Sequence, residues 1–151
     1  MDENITFTEI DLINENIPCC IGCYNCFTKG EDTCPHSSII QPIAESMKSC
    51  DGLIITSPVY ALNVTGVMKN FIDHLAYFYH RPYFFKKRAM VVVTTAGAGH
   101  KKVGKYLDET LENMGYNQRY NLFLIHSHDA HGYLPLETKQ KIDKEVIKFY
   151  S

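Results

Sequence analysis

Hydrophobic and polar positions along the chain fall into two alternating rhythms, one of period two or continuous and one of period 3.6. Ile5–Leu12 alternates apolar and polar residues and reads as a half-exposed strand. Leu53–Thr56 and Arg88–Thr94 are short apolar runs of the kind buried on both faces of a parallel sheet, and Tyr120–His126 is a further strand with its core at 121–125. Helical spacing appears between them. Ile39, Ile40, Ile43 and Met47 share one face of a helix capped by Ser37 or Ser38 and running to about Ser49. A second helix, capped by Thr65, spans Gly66 to about Phe78 with Val67, Phe71, Leu75 and Phe78 inward. A third covers Lys101–Met114, with Val103, Leu107, Leu111 and Met114 inward and Gly115 as its C-terminal stop. Leu136–Tyr150 closes the chain as an amphipathic helix.

Strand and helix alternate from end to end, which predicts an α/β fold with parallel strands, right-handed crossovers and helices on both faces. At 151 residues the chain is expected to form a single domain spanning 1–151. In such a sheet the loops that follow the strands gather at the carboxyl edge, where ligands bind. Three loops are assigned to that edge: 13–35 after the first strand, Ser57–Val64 after the second, and 96–100 after the third.

Composition narrows the function. A net charge of −2 without a basic run gives no reason to expect nucleic acid or a membrane surface. No apolar run reaches the ~20 residues of a membrane helix, and the start of the chain is acidic with no apolar segment behind it, so a cytoplasmic, reducing setting is expected. Six cysteines in that setting read as metal, cluster or redox residues before disulfides. Four of them, Cys20, Cys23, Cys26 and Cys34, form a C-x2-C-x2-C-x7-C run in which Gly30 lets the chain turn back to deliver the last. An iron–sulfur cluster, a zinc ion and free thiols all remain open for this set. Cys19 could replace Cys20 in a shifted register, and Cys50, at a helix end, reads as a small buried hydrophobe.

The other two loops suit a planar ligand. In Ser57-Pro58-Val59-Tyr60 the proline turns the chain sharply away from its strand, and Tyr60 offers a flat face with a polar tip. In Thr94-Thr95-Ala96-Gly97-Ala98-Gly99-His100 the glycines let backbone N–H groups come close to a ligand, and His100 stands at the loop's end. Either loop could equally be a structural turn. Neither matches G-x-x-x-x-G-K-S/T or G-x-G-x-x-G, so neither is read as a phosphate loop or a Rossmann dinucleotide site. His126, His128 and His131 are a weaker metal candidate, and the aromatic stretch 77–85 is either a subunit interface, a ligand cover or a buried connector. Lys86-Lys87-Arg88 reads as a solvated start to a strand, or as a cluster able to attract the phosphate of NADPH.

With the cysteine run, Ser57-Pro58-Val59-Tyr60, Val67-Met68-Lys69-Asn70-Phe71-Ile72-Asp73-His74 and Thr94-Thr95-Ala96-Gly97 quoted together, the chain resembles the flavodoxin-like NAD(P)H-dependent FMN reductases, and within them the iron–sulfur flavoproteins, over about Ile5 to Gly115. The resemblance implies a three-layer flavodoxin-like sheet. It implies FMN held by Ser57, Pro58, Val59 and Tyr60 on one side and Thr95, Ala96, Gly97, Ala98, Gly99 and His100 on the other. It also implies a [4Fe–4S] cluster on the four cysteines, and a homodimer or homotetramer. Electrons would come from NAD(P)H or a reduced protein and pass to a quinone-like or protein acceptor. The family's opening strand and its phosphate-holding loop are not found here. The alternative is therefore a non-catalytic remnant of the fold, acting as an interaction module or as a carrier of a cluster or zinc.

Overall fold

A computed structural model describes residues 5–125 and 134–151. The candidate histidines 126, 128 and 131 lie outside the described residues. Three strands, β1 (Gly52–Pro58), β2 (Arg88–Thr95) and β3 (Gln118–Ile125), form one parallel sheet in the order β1-β2-β3. The register pairs Ile55 with Val91 and Val91 with Asn121, so side chains alternate face by face across all three strands.

On one face stand Ile55, Val91, Val93 and Phe123. They join the main core with three helices: α2 (Ser37–Ser49), α3 (Gly66–His74) and α4 (His100–Met114). The other face carries Met90, Leu122 and Tyr120, and α5 (Leu136–Tyr150) covers it through Phe149, whose ring meets Tyr120 at 5.9 Å. Helices thus flank both faces, as the alternation of elements predicts. β2, central and buried on both sides, contributes Ala89, Met90, Val91 and Val93 to the interior.

Several expectations need correction. Residues 5–12 form no strand. The segment enters a turn in which Asp11 accepts from Asn14 N at its carbonyl and from Ile13 N at its carboxylate (2.9 and 3.1 Å). Alternation alone cannot make a strand without a neighbour to pair with, and Thr8–Ile13 stands across a cleft of about 620 Å³ from β1. β1 is not buried on both faces either: Ile55 and Ser57 are buried, while Ile54 is 42% exposed beside that cleft.

α2 is entered from His36, not Ser37 or Ser38, and has no side-chain cap; the amides of Ile39 and Ile40 bond to the His36 carbonyl. α3 does begin at Thr65, whose hydroxyl accepts from Met68 N (3.2 Å). It ends at His74, and a 3-10 turn continues over Ala76–Tyr79. Met68, not the exposed Val67, takes the inward position with Phe71, Ile72 and Leu75. α4 ends as expected on Gly115, at φ 107°. Cys50 is half-buried, and its thiol donates to the Met47 carbonyl (3.3 Å). Of the aromatic stretch, Tyr77, Phe78 and Phe84 are buried in the core, whereas Tyr83 and Phe85 are exposed.

Candidate functional site

The loops that leave β1 and β2 meet because the two strands are neighbours and run the same way. Val59 N–H donates to the Thr94 carbonyl (2.9 Å), extending the ladder one residue past β1. The chain then reverses in a tight turn. Tyr60 and Asn63 exchange both backbone bonds (2.9 and 3.0 Å), with Ala61 and Leu62 left-handed at φ 49° and 61°. Positive φ at two consecutive central positions is the type I′ arrangement, which glycine and asparagine adopt more readily than leucine. Gly99 comes against this turn. A Cβ there would stand 2.8 Å from Val59 Cγ1 and 3.2 Å from Leu62 Cδ2, and its φ of 93° is itself a glycine conformation. Only glycine lets the two loops touch so closely.

The expected ligand residues separate into supports and open groups. Ser57 is buried; its hydroxyl donates to the Pro58 carbonyl (2.9 Å) and accepts from Thr65 N (3.3 Å), which ties the end of β1 to the start of α3. Val59 packs against the core. Thr95 holds its own turn, accepting from Gly97 N and donating to the Ala98 carbonyl (both 3.1 Å). Pro58, Tyr60, Ala96, Gly97 and Ala98 are exposed along the rim, with Tyr60 at 64%. A side chain built on Gly97 would meet nothing. His100 opens α4 with its ring 5.9 Å from that of Phe123. Its Nδ1 is buried, with no hydrogen-bond partner among the described residues. A buried nitrogen left unpaired is costly unless a ligand or water completes it.

The cysteine loop is placed differently from the expectation. With no strand before it, it is not launched from the sheet edge; it packs along α3. Asn70 grips it with both ends of its amide. Oδ1 accepts from Cys20 N (2.9 Å), and Nδ2 donates to the carbonyls of Ile17 (3.0 Å) and Pro18 (3.2 Å). One turn on, His74 Nε2 lies 2.9 Å from the same Pro18 carbonyl. Arg81 braces the far side, donating to the Cys26 carbonyl (2.7 Å) and to Glu31 (2.9 Å). Between Cys23 and Cys26 the chain passes through Tyr24 at φ 59° into the single turn α1 (Asn25–Thr28), and Gly30 at φ 113° reverses it toward Cys34.

Cys20 and Cys23 are exposed; Cys26 and Cys34 are half-buried. Burial, then the nearby charges of Cys34, Cys20 and Cys23, raise the Cys26 pKa above that of a free thiol. Cys34 also belongs to a tighter group: its Sγ and a ring nitrogen of both His36 and His74 all lie within 4.8 Å of one another. Cys20, Cys23 and Cys26 are not members of that group. Sequence reasoning missed Asn70, His74, Arg81 and His36. Asn70 and His74 sit four apart on one helix, hence on one face, and that spacing was the available signal.

Lys86, Lys87 and Arg88 stand at the opposite end of the sheet from the two joined loops, since Arg88 begins β2 and Thr94 and Thr95 end it. Seven residues of strand put roughly 20 Å between the two ends. Arg88 is moreover committed to Gln118 and to the Phe149 carbonyl (2.9 and 3.0 Å), and Lys87 to the Cys50 carbonyl. The cluster supports the strand start and is not placed to receive a phosphate bound beside the rim. Among the described residues no helix is long and apolar enough to cross a membrane.

Among curated proteins, the chain is 33% identical over 108 residues to an iron–sulfur flavoprotein of Archaeoglobus fulgidus, covering 71% of this chain and 48% of that one. It is 32% identical over 128 residues to an iron–sulfur flavoprotein of Methanocaldococcus jannaschii, covering 83% and 59%. The chain thus spans about half the length of the curated relatives it matches. Its fold is that of an azoreductase from Bacillus anthracis (TM-score 0.69, 15% identity, 97% of this chain and 80% of that one). It is also that of general stress protein 14 from Treponema denticola, solved in complex with FMN (TM-score 0.55, 11% identity, 74% and 71%). The sheet is thereby a flavodoxin-like one. Joined loops at its carboxyl edge, a cysteine loop strapped to α3 and a family match running through residues 1–129 agree, and the chain belongs to the NADPH-dependent FMN reductase family.

Proposed function

We propose that this chain takes part in FMN-dependent oxidoreduction, with the flavin ring lying against the joined loops after β1 and β2. The observation that carries this is the direct packing of Gly99 on Val59 and Leu62, which makes one continuous rim from two loops. Beside that rim the exposed Tyr60 offers a ring face, and the buried Nδ1 of His100, without a partner among the described residues, offers a polar contact to an incoming ligand. The open backbone at Ala96, Gly97 and Ala98 suits the carbonyl oxygens and ring nitrogens of a flavin. Ser57 and Thr95 hold the rim in shape and leave contact to their neighbours. A flavin bound there would supply hydride and one-electron chemistry, and the protein would position it and tune its potential.

The donor in this reading is NAD(P)H or a reduced protein, and the acceptor is quinone-like or a protein. The four thiols Cys20, Cys23, Cys26 and Cys34 have the donor chemistry to hold a [4Fe–4S] cluster. Their loop begins against Asn70, about one and a half helical turns, or roughly 7 Å, along α3 from the rim-anchored Thr65. A homodimer or homotetramer would cover the exposed Tyr83 and Phe85.

Titrating FMN with the purified chain tests the reading. One FMN per chain should be bound with its fluorescence quenched. Tyr60→Ala should weaken binding by about 0.5–1.5 kcal/mol, roughly two- to tenfold, if the ring packs on the flavin. A folded chain that leaves FMN fluorescence unchanged would overturn it.

A further inference from the structure

We propose that Cys34, His36 and His74 form a binding site for a zinc-class divalent ion, sharing only Cys34 with the four-cysteine run. The three ligand atoms already converge within 4.8 Å, and Cys34 Sγ stands 3.9 Å from His74 Nδ1. Zn–S and Zn–N bonds of about 2.3 and 2.1 Å at tetrahedral angles put a nitrogen pair roughly 3.4 Å and a sulfur–nitrogen pair roughly 3.6 Å apart. The Cys34–His74 pair is within about half an ångström of that geometry and no pair exceeds it by more than about 1.5 Å, a gap that side-chain shifts would have to close.

The surroundings orient the ligands. His74 is buried at 4% exposure. Its Nε2 faces the Pro18 carbonyl at 2.9 Å, and since a carbonyl can only accept, the proton sits on Nε2. In the neutral ring this leaves the Nδ1 lone pair aimed at Cys34. A ligating histidine whose other nitrogen donates to a backbone carbonyl is the outer-shell arrangement that fixes metal-binding imidazoles. His36 and Cys34 are held through their own backbones. The Cys34 amide bonds to Glu31 O (3.2 Å), the Cys34 carbonyl receives Ser37 N (2.9 Å), and the His36 carbonyl receives Ile39 and Ile40 N. The rings of His36 and His74 meet edge to face at 5.2 Å, so both already turn toward the same space.

One thiolate and two imidazoles match the borderline softness of zinc and leave a fourth position for water. Binding releases the Cys34 thiol proton to solvent as the Zn–S bond forms and consumes no oxidant or reductant. Because Cys34 is also one of the four thiols, the ion and a cluster exclude each other. The site does not depend on flavin binding.

Cobalt(II) is the probe, added to the chain kept reduced and free of other metals. One Co²⁺ per chain should bind, with the visible bands of a four-coordinate ion and a thiolate-to-cobalt charge-transfer band. Cys34→Ser should remove that charge-transfer band. His36→Gln, at a half-buried position, should weaken binding at least about tenfold, the lower end of what loss of an outer-shell partner alone costs. His74→Gln should do the same, and far-UV circular dichroism confirms that each variant is folded. The Cys20→Ser, Cys23→Ser double variant should bind as the parent does. No bound cobalt in the parent, a folded His36→Gln variant of unchanged affinity, or loss of binding in the double variant would each overturn the proposal.

Discussion

At the scale of single residues, the structure divides polar side chains into those that hold the molecule together and those left with something to do. Asn70 is the clearest of the first kind, since one amide satisfies Cys20 N and two carbonyls of a segment about fifty positions away in the chain. Asn70→Ala would leave those groups without their partner at a cost of about 1–3 kcal/mol. The loss should appear as faster protease cleavage within residues 17–34 while the sheet remains folded. Tyr116 poses the opposite case. Its ring stacks on Phe84 at 4.6 Å with 4° between planes, its hydroxyl is buried with no partner among the described residues, and burial drives its pKa far up. Removing a buried group that makes no hydrogen bond should not hurt, so Tyr116→Phe should match or exceed the parent's stability by up to about 1 kcal/mol in thermal unfolding. A clear fall in Tm would mean that the hydroxyl is satisfied after all.

At the scale of elements, close approach is what places the site, and small residues permit it. Gly99 does this between the two loops; Gly104 does it between α4 and β3. A Cβ on Gly104 would stand 2.2 Å from Phe123 Cε1, inside any allowed contact. In a solvent-facing helix, Gly→Ala gains about 1 kcal/mol of helix propensity. Here overpacking of about 1–3 kcal/mol works against it. Gly104→Ala should therefore destabilise the chain, read as a lower urea midpoint, and should displace the neighbouring His100 ring as seen in its NMR shifts. The same scale explains which elements were legible. The core stripe of α4, its stop at Gly115, the cap at Thr65 and the bounds of α5 follow from local chemistry and appear where the pattern puts them. The strand expected at 5–12 does not, because pairing is a property of two segments.

At the scale of the whole molecule, β2 is the centre of the three described strands and β1 an edge. Amides of β1 that point away from β2 have no ladder partner among the described residues and face the cleft lined by Thr8–Ile13. Hydrogen exchange should rank the strands accordingly. Met90–Val93 should be the slowest to exchange, while alternate amides of β1 should exchange much faster than those bonded to β2. Uniform protection along β1 would show that another segment or another chain occupies its free edge. The candidate site also belongs to this scale. The rim draws on residues near positions 60 and 97, and the metal group on positions 34, 36 and 74; none of these sets is contiguous in the chain.

From sequence alone came the alternation of elements, the parallel sheet, the candidate site residues and the resemblance that the family match bears out. These follow from periodicity, turn chemistry and short motifs, all of which act over a few residues. Only the tertiary structure decided which candidates touch. It made Ser57 and Thr95 supports of the rim, set Lys86–Arg88 at the far end of the sheet, and moved the cysteine loop from the sheet edge onto α3. It also brought His74 to Cys34 and His36 from forty positions away in the chain. The physical reason is that register, burial and hydrogen-bond pairing join residues far apart in the chain, and a local pattern carries no information about its distant partner.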